Sequence, residues 1–282
     1  MLAAIIKVDY TLSLIQLSFH DLVNISQKMH TPEMFNLDGK TALVTGCNTG
    51  IGKAMTIALA EAGANIIGLS SGGAYAAVKA SVEALGKSFM YHQVDLSNRE
   101  DIYDFVSKIN TDDKRIDILV NNAGIIMRKP AAEHPDEYWD KVMSINLDAQ
   151  FILGRELGNH MINNGGGKII FICSLLSFQG GINVPSYTAS KSALAGLVRA
   201  FSNEWGAKGV CVNGLAPGYI ATDNTQALRD DVDRNKTILE RIPMARWGVP
   251  EDFKGPIVFL ASKASDYVNG TMLFVDGGWM SR

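Results

Sequence analysis

Short apolar segments recur along this chain, separated by stretches with helical spacing, and that alternation restricts the fold more than any other feature. The organised part is read from Phe35, after a segment 1–34 treated as an N-terminal extension. Asp38 and Gly39 mark a turn, and TALVTG at 41–46 reads as a buried strand. Residues 51–62 follow with helical periodicity, and NIIGLS at 65–70 is the next strand. IDILVNNAG, GGKIIFICS, GVCVNGLAPG and MLFVD continue the series. Strands without a polar face need helices on both sides. The pattern therefore predicts one α/β domain over 35–282, doubly wound around a mostly parallel sheet. No Pro- or Gly-rich linker divides it.

Between the first strand and its helix lies TGCNTGIG, with Gly46, Gly50 and Gly52 around Asn48, Thr49 and Ile51. Missing side chains allow a tight turn and a close approach of backbone to ligand. Free N–H groups where the helix begins can receive a pyrophosphate. Strand, turn and helix in this order make a candidate dinucleotide site. The end of the second strand offers Ser70, Ser71 and Gly72. There is no carboxylate for ribose hydroxyls and no base for an extra phosphate, so these residues do not separate NAD from NADP. Asp95, followed by Leu96, is read either as an acceptor for the adenine amine or as a cap of the next helix. Asn121, Asn122, Ala123 and Gly124 close an apolar strand; the small residues admit the cofactor, and the amides pin loops or serve the turn.

SYTASKSALAGL puts Tyr187 four residues before Lys191, on one helix face. The bland reading is a packed phenol beside a solvated amine. The other is a proton donor beside the charge that tunes it: a phenol near pKa 10 is poorly matched to neutral catalysis, and an adjacent ammonium favours the phenolate. Ser174 emerges from KIIFICS and Asn146 lies in VMSINLDAQF. If these share one sheet edge, Tyr187 exchanges a proton with a substrate oxygen, Ser174 polarises that oxygen, and Asn146 holds a water leading from Lys191 to solvent. Separately, Ser174 reads as a strand cap and Asn146 as a partner for a buried carbonyl.

The hydrophobic content of 47%, charged content of 20% and formal charge of −3 argue for a globular protein and against a nucleic-acid partner. Cys47, Cys173 and Cys211 match no zinc pattern, and reduced thiols are the simpler reading, which favours a cytoplasmic location. The first residues are apolar but interrupted by Lys7, Asp9, His20 and Asp21, unlike a secretory signal or membrane span.

Taken together, Gly46 to Gly52, Asn121 to Gly124, Asn146, Ser174, Tyr187 and Lys191 resemble the short-chain dehydrogenase/reductase family over about residues 35–282. The resemblance implies a seven-stranded parallel Rossmann-like sheet, hydride transfer to or from NAD(P) without a metal, and commonly a homotetramer. It makes Asn146, Ser174, Tyr187 and Lys191 the catalytic tetrad. Asp95 and Asn122 then fall at adenine and strand-stabilising positions, and Pro217, Gly218, Ile220 and Thr222 near the nicotinamide and pyrophosphate. FQGGINVPSYTASKS, APGYIATDNTQALR and RIPMARWG further resemble members acting on deoxy sugar acids with NAD(H), so NAD is the favoured cofactor.

A sugar-acid carboxylate calls for an Arg fork. Arg128 is the first candidate, with Arg246 and Trp247 as a second contact or as part of a subunit interface. Gln179 and Asn183, between Ser174 and Tyr187, are read as amides for sugar hydroxyls. Residues 224–241 look like a polar helical lid with Leu228, Val232, Ile238 and Leu239 turned inward. The alternatives are an NADP-dependent carbonyl reductase of another substrate class and a non-catalytic dinucleotide-binding protein.

Overall fold

The computed structural model describes residues 30–111 and 115–282. Of the extension expected over 1–34, residues 1–29 lie outside them, and Thr31–Met34 form a helical turn. Seven strands form one parallel sheet: β1 Thr41–Thr45, β2 Asn65–Ser70, β3 Phe89–Gln93, β4 Ile118–Asn121, β5 Gly167–Ile172, β6 Val210–Pro217 and β7 Met272–Val275, in the order β3-β2-β1-β4-β5-β6-β7. The fold is the single-domain, doubly wound Rossmann-like sheet expected.

Side chains alternate along each strand, and the two resulting sets enter different cores. Leu43, Leu119, Ile169 and Phe171 pack on one face against α3 (Arg99–Thr111), α5 (Ala149–Asn163) and α6 (Pro185–Trp205). Val44, Ile118, Val120 and Ile170 pack on the other against α1 (Gly50–Glu61), α2 (Ala76–Ala84) and α8 (Lys254–Ala261). Both faces are apolar because both are covered. Pro185 opens α6 at a position where a missing N–H costs nothing. Its buried Leu194, Val198, Phe201 and Trp205 each contribute about 1.5–3 kcal/mol by burial, which holds the helix against the sheet.

Chain order reverses at β1, whose neighbours are β2 and β4. In such sheets the crevice at the carboxyl ends of the strands is the ligand site. The Gly46 turn after β1, Asn122 to Gly124 after β4, Ser174 after β5 and Gly218 after β6 all meet at that edge.

Residues 226–241 form a short helix, Gln226–Asp230, and α7, Val232–Arg241. Ile238 is buried and packs with Leu175 and Trp279, with Leu228 against them. Val232 departs from the expectation: it is 79% exposed. Six residues from Ile238 place it about 120° around the helix, off the buried stripe. No helix among the described residues is long and apolar enough to cross a membrane.

Candidate active site

The glycine turn is shaped by what surrounds it. Gly46 has φ +63°, and a Cβ there would lie 2.8 Å from Asn122 Nδ2. A Cβ on Gly52 would meet the Gly46 carbonyl and sit 2.5 Å from the same amide. Asn122 Nδ2 donates to the carbonyls of Thr45 (2.9 Å) and Gly46 (3.2 Å), while Thr45 Oγ1 accepts from the N–H groups of Asn122 and Ala123, both at 2.9 Å. These bonds clamp the ends of β1 and β4 together. Asn121 points the other way, donating at 3.3 Å to the Gln150 carbonyl of α5. Both amides thus serve structure. Thr49 precedes α1 without a side-chain cap, so the N–H groups of its first turn face the cleft. A closely packed glycine turn that keeps side chains away from the cleft mouth, beside a helix N-terminus lining the cleft, fits a pyrophosphate.

That cradle forms one end of a cleft of about 320 Å³. Its walls bring together Gly46, Thr49, Gly50, Ile51 and Gly52 with Asn122, Ala123 and Gly124, and, across from them, Ser174, Tyr187 and Lys191. Pro217, Gly218, Ile220 and Thr222 complete the side formed by β6, and Arg128 stands at the rim.

Lys191 is buried, and its Nζ donates to the Ile172 carbonyl at 2.6 Å. Burial brings its pKa down to about 8, against a smaller opposing effect of Cys173. The Lys191 Nζ lies 5.7 Å from the centre of the Tyr187 ring. Burial pushes the Tyr187 phenol above its ordinary pKa; hydrogen bonding with Ser174 and, more weakly, the Arg128 charge pull it back. Ser174 is itself oriented, accepting from the Leu176 N–H at 3.1 Å at the start of the turn Leu175–Ser177. Ser177 ties this strand end to α6 by donating to the Lys191 carbonyl at 2.6 Å.

Asn146 is fully buried in a π-helical segment, Ser144–Asp148, between α4 (Asp136–Met143) and α5. Such single-turn departures from the α-helix often occur at functional sites. Its Oδ1 accepts from the Ile125 N–H at 2.8 Å, and its Nδ2 donates to the Ile125 carbonyl at 2.9 Å and to Ser190 Oγ at 3.3 Å. Ser190 donates in turn to the Tyr187 carbonyl at 2.8 Å. The side chain therefore joins the loop after β4 to the Tyr187 helix.

Other predicted residues lie outside this cleft. Asn48 Nδ2 donates to the Gly72 carbonyl at 2.9 Å, and Ser70 Oγ is shared with Tyr91 at 2.8 Å. Asp95 Oδ1 accepts from the Ser97 N–H and hydroxyl, which hold its pKa low; Asn98, not Asp95, caps α3, and Leu96 packs in the core. Among the proposed substrate contacts, Arg128, Ser174 and Tyr187 line the cleft. Gln179 is engaged by Trp279 Nε1 at 3.0 Å, and exposed Asn183 adopts φ +62°. Arg246 forms a bidentate pair with Asp252 at 2.7 and 2.9 Å, and Trp247 donates to Asn235 at 2.7 Å. Arg246 lines a separate depression beside β7. The cleft also contains Ile125, Cys173 and Asn224, which sequence reasoning did not single out. The first two were legible as neighbours of Gly124 and Ser174. Arg128 Nη2 donates to the Asn224 carbonyl at 3.1 Å, linking the rim to the lid.

A dinucleotide cradle facing a Ser, Tyr and Lys group defines a dehydrogenase site, and a family model for short chain dehydrogenases matches residues 40–233. The chain belongs to the short-chain dehydrogenase/reductase family. It is 59% identical over 252 residues to the 2-dehydro-3-deoxy-D-gluconate 5-dehydrogenase of Pseudoalteromonas atlantica, covering 89% of this chain and 99% of that one. It is 54% identical over 250 residues to the enzyme of the same name from Bacillus subtilis, covering 89% and 98%. Among solved structures, a gluconate 5-dehydrogenase from Burkholderia cenocepacia, in complex with NADP and tartrate, superposes with a TM-score of 0.86 at 37% identity, covering 90% of this chain and all of that one.

Proposed function

We propose that residues 35–282 form an NAD(P)-dependent dehydrogenase interconverting a ketone and a secondary alcohol on a deoxy sugar acid, with 2-dehydro-3-deoxy-D-gluconate as the substrate. The observation that carries this reading is the convergence of Ser174, Tyr187 and Lys191 with the glycine cradle in one cleft that has Arg128 at its rim. The relatives' names and the Burkholderia complex with tartrate, itself a hydroxy acid, support the substrate class.

Gly46, Gly50, Ile51 and Gly52 hold the pyrophosphate, Ala123 and Gly124 admit the adjoining ribose, and Pro217, Gly218, Ile220 and Thr222 lie along the nicotinamide side. When bound, the nicotinamide supplies or accepts the hydride. The chain's own residues handle the proton and the orientation. Ser174 holds the substrate oxygen, and Tyr187 gives it a proton in reduction or takes one in oxidation. Lys191 holds positive charge beside the phenol and positions the ribose. Asn146 keeps the loop after β4 and the Tyr187 helix in register. Arg128 receives the carboxylate through its fork.

The same reading places the enzyme in the cytoplasm as a homotetramer. Three free cysteines and the apolar surface of Phe178 and Phe274 at the β7 edge, with ring centres 5.0 Å apart, support it. Initial rates with 2-dehydro-3-deoxy-D-gluconate, followed by nicotinamide absorbance with each cofactor, test the activity. Protein that binds dinucleotide but does not turn over this substrate would overturn the assignment.

A further inference from the structure

Ser186 and Ser190, four residues apart on one face of α6, bracket Tyr187, and both are fully buried. Each is bonded to a residue just beyond an end of α4. Asn146, after α4, donates to Ser190 Oγ at 3.3 Å. His134, before α4, shares a hydrogen bond of 2.9 Å between its Nε2 and Ser186 Oγ. The turn that carries Tyr187 is thus held from both ends of α4. A further bond, from the Lys129 N–H to the Asn183 carbonyl at 2.9 Å, ties the stretch beside Arg128 to the approach to α6.

The His134 ring is held edge-on by Tyr138, with ring centres 5.9 Å apart at 83°, and its Nδ1 is buried with no partner among the described residues. A buried N–H without an acceptor is rarer than an unused acceptor, so the ring proton belongs on Nε2 and is donated to Ser186. An apolar side chain would fill this space without stranding a nitrogen. What the histidine adds is a bond to the hydroxyl next to the proton donor.

We propose that His134 is a positioning residue for proton transfer: through Ser186 it sets where the first turn of α6 holds the Tyr187 phenol, as Asn146 does from the other end through Ser190. His134 is not among the residues lining the cleft, so it acts through Ser186 and not on the substrate. Small displacements matter here, because a misplacement of about 1 Å can cost about 10²-fold in rate. The inference rests on Tyr187 as the proton donor and is independent of which alcohol is oxidised.

The test compares His134→Leu, His134→Gln and Ser186→Ala in the full chain. Leucine fills the space without a donor, whereas the glutamine amide nitrogen stands as many bonds from Cα as Nε2 does. His134→Leu and Ser186→Ala are each expected to lower kcat at least about tenfold, and the double variant should fall no further than the slower single one. Dissociation constants for NADH and NADPH should stay within about threefold of wild type, and His134→Gln should recover kcat to within about threefold. Amide exchange over residues 183–191, which needs no substrate, should quicken in His134→Leu and not in His134→Gln. A smaller loss of kcat, no recovery in His134→Gln, a fall in dinucleotide affinity as large as that in kcat, or unmoved exchange in His134→Leu would each overturn the proposal. Should His134→Leu not fold, Ser186→Ala decides. Rates are taken with the sugar acid or, if the wild type refuses it, with a secondary alcohol that it oxidises; with no turnover at all, exchange decides. Failure of the sugar-acid reading would show in the wild type, and failure of this proposal only in the comparison of variants with wild type.

Discussion

Lys191 Nζ is bonded to the Ile172 carbonyl at 2.6 Å, so the ammonium beside the Tyr187 ring is anchored to the last residue of β5. The strand that presents Ser174 and the helix that presents Tyr187 are thereby joined through a third member of the same group. Such anchoring has a cost, because the charge is held out of water. Burial takes the Lys191 pKa from 10.5 to about 8. The folded state then binds fewer protons than the unfolded one between those values, so this residue's destabilising effect is complete below about pH 8 and fades as pH rises toward 10.5. Its full size is on the order of 3 kcal/mol.

Lys191→Met is accordingly expected to abolish turnover while raising thermal stability at pH 7. Leaving the Ile172 carbonyl without a donor offsets roughly 1–2 kcal/mol, so the net gain is about 1–2 kcal/mol. Thermal melts at pH 7 and pH 10 measure it, and the advantage should shrink at the higher pH. A variant less stable than wild type at pH 7 would contradict the account.

Tyr187→Phe should lower kcat by about 10²–10⁴-fold with little change in dinucleotide affinity. Burial raises the phenol's pKa, so the acid form persists at neutral pH. Alcohol oxidation should therefore rise with pH and ketone reduction fall. Ser174 hydrogen bonding lowers that pKa, so residual oxidation by Ser174→Ala should have its rising limb displaced to higher pH. Rate profiles in both directions check this, and an unmoved limb in Ser174→Ala would count against the coupling.

Gly52→Ala tests the cradle. The added methyl would strike the Gly46 backbone carbonyl and lie 2.5 Å from Asn122 Nδ2. Backbone on one side and a clamped amide on the other leave little room to give. Dinucleotide binding should weaken at least about tenfold, with a loss of stability of about 1–3 kcal/mol from overpacking. Titration and denaturant melts measure the two effects, and wild-type values in both would show that the turn relaxes.

The strand series, the glycine turn and the Ser174, Tyr187 and Lys191 group were legible because each depends on local spacing or on motif order. What escaped depends on partners distant in sequence. Gln179 reads as a free amide until the fold brings Trp279, 100 residues later, onto it. Ser70 reads as a ribose contact, but the β2–β3 register pairs it with Gln93 and carries Tyr91 to its hydroxyl. Arg246 reads as a free fork, and a turn delivers Asp252 to both of its terminal nitrogens. Val232 reads as inward by its apolar character alone, whereas helical phase places it outside.

Arg128 carries the substrate side of the proposal. Its guanidinium uses one N–H on the Asn224 carbonyl and its charge reaches Tyr187, so it stands between lid and reaction centre. Arg128→Leu should raise KM for the sugar acid by about 10–100-fold, the scale of a lost charge-assisted pair. Rates with a neutral analogue lacking the carboxylate should change far less. Because Arg128 helps to lower the Tyr187 pKa, the variant's oxidation profile should also shift to higher pH. Equal losses with acid and neutral substrates would assign Arg128 to lid packing through Asn224 and remove it as the carboxylate contact.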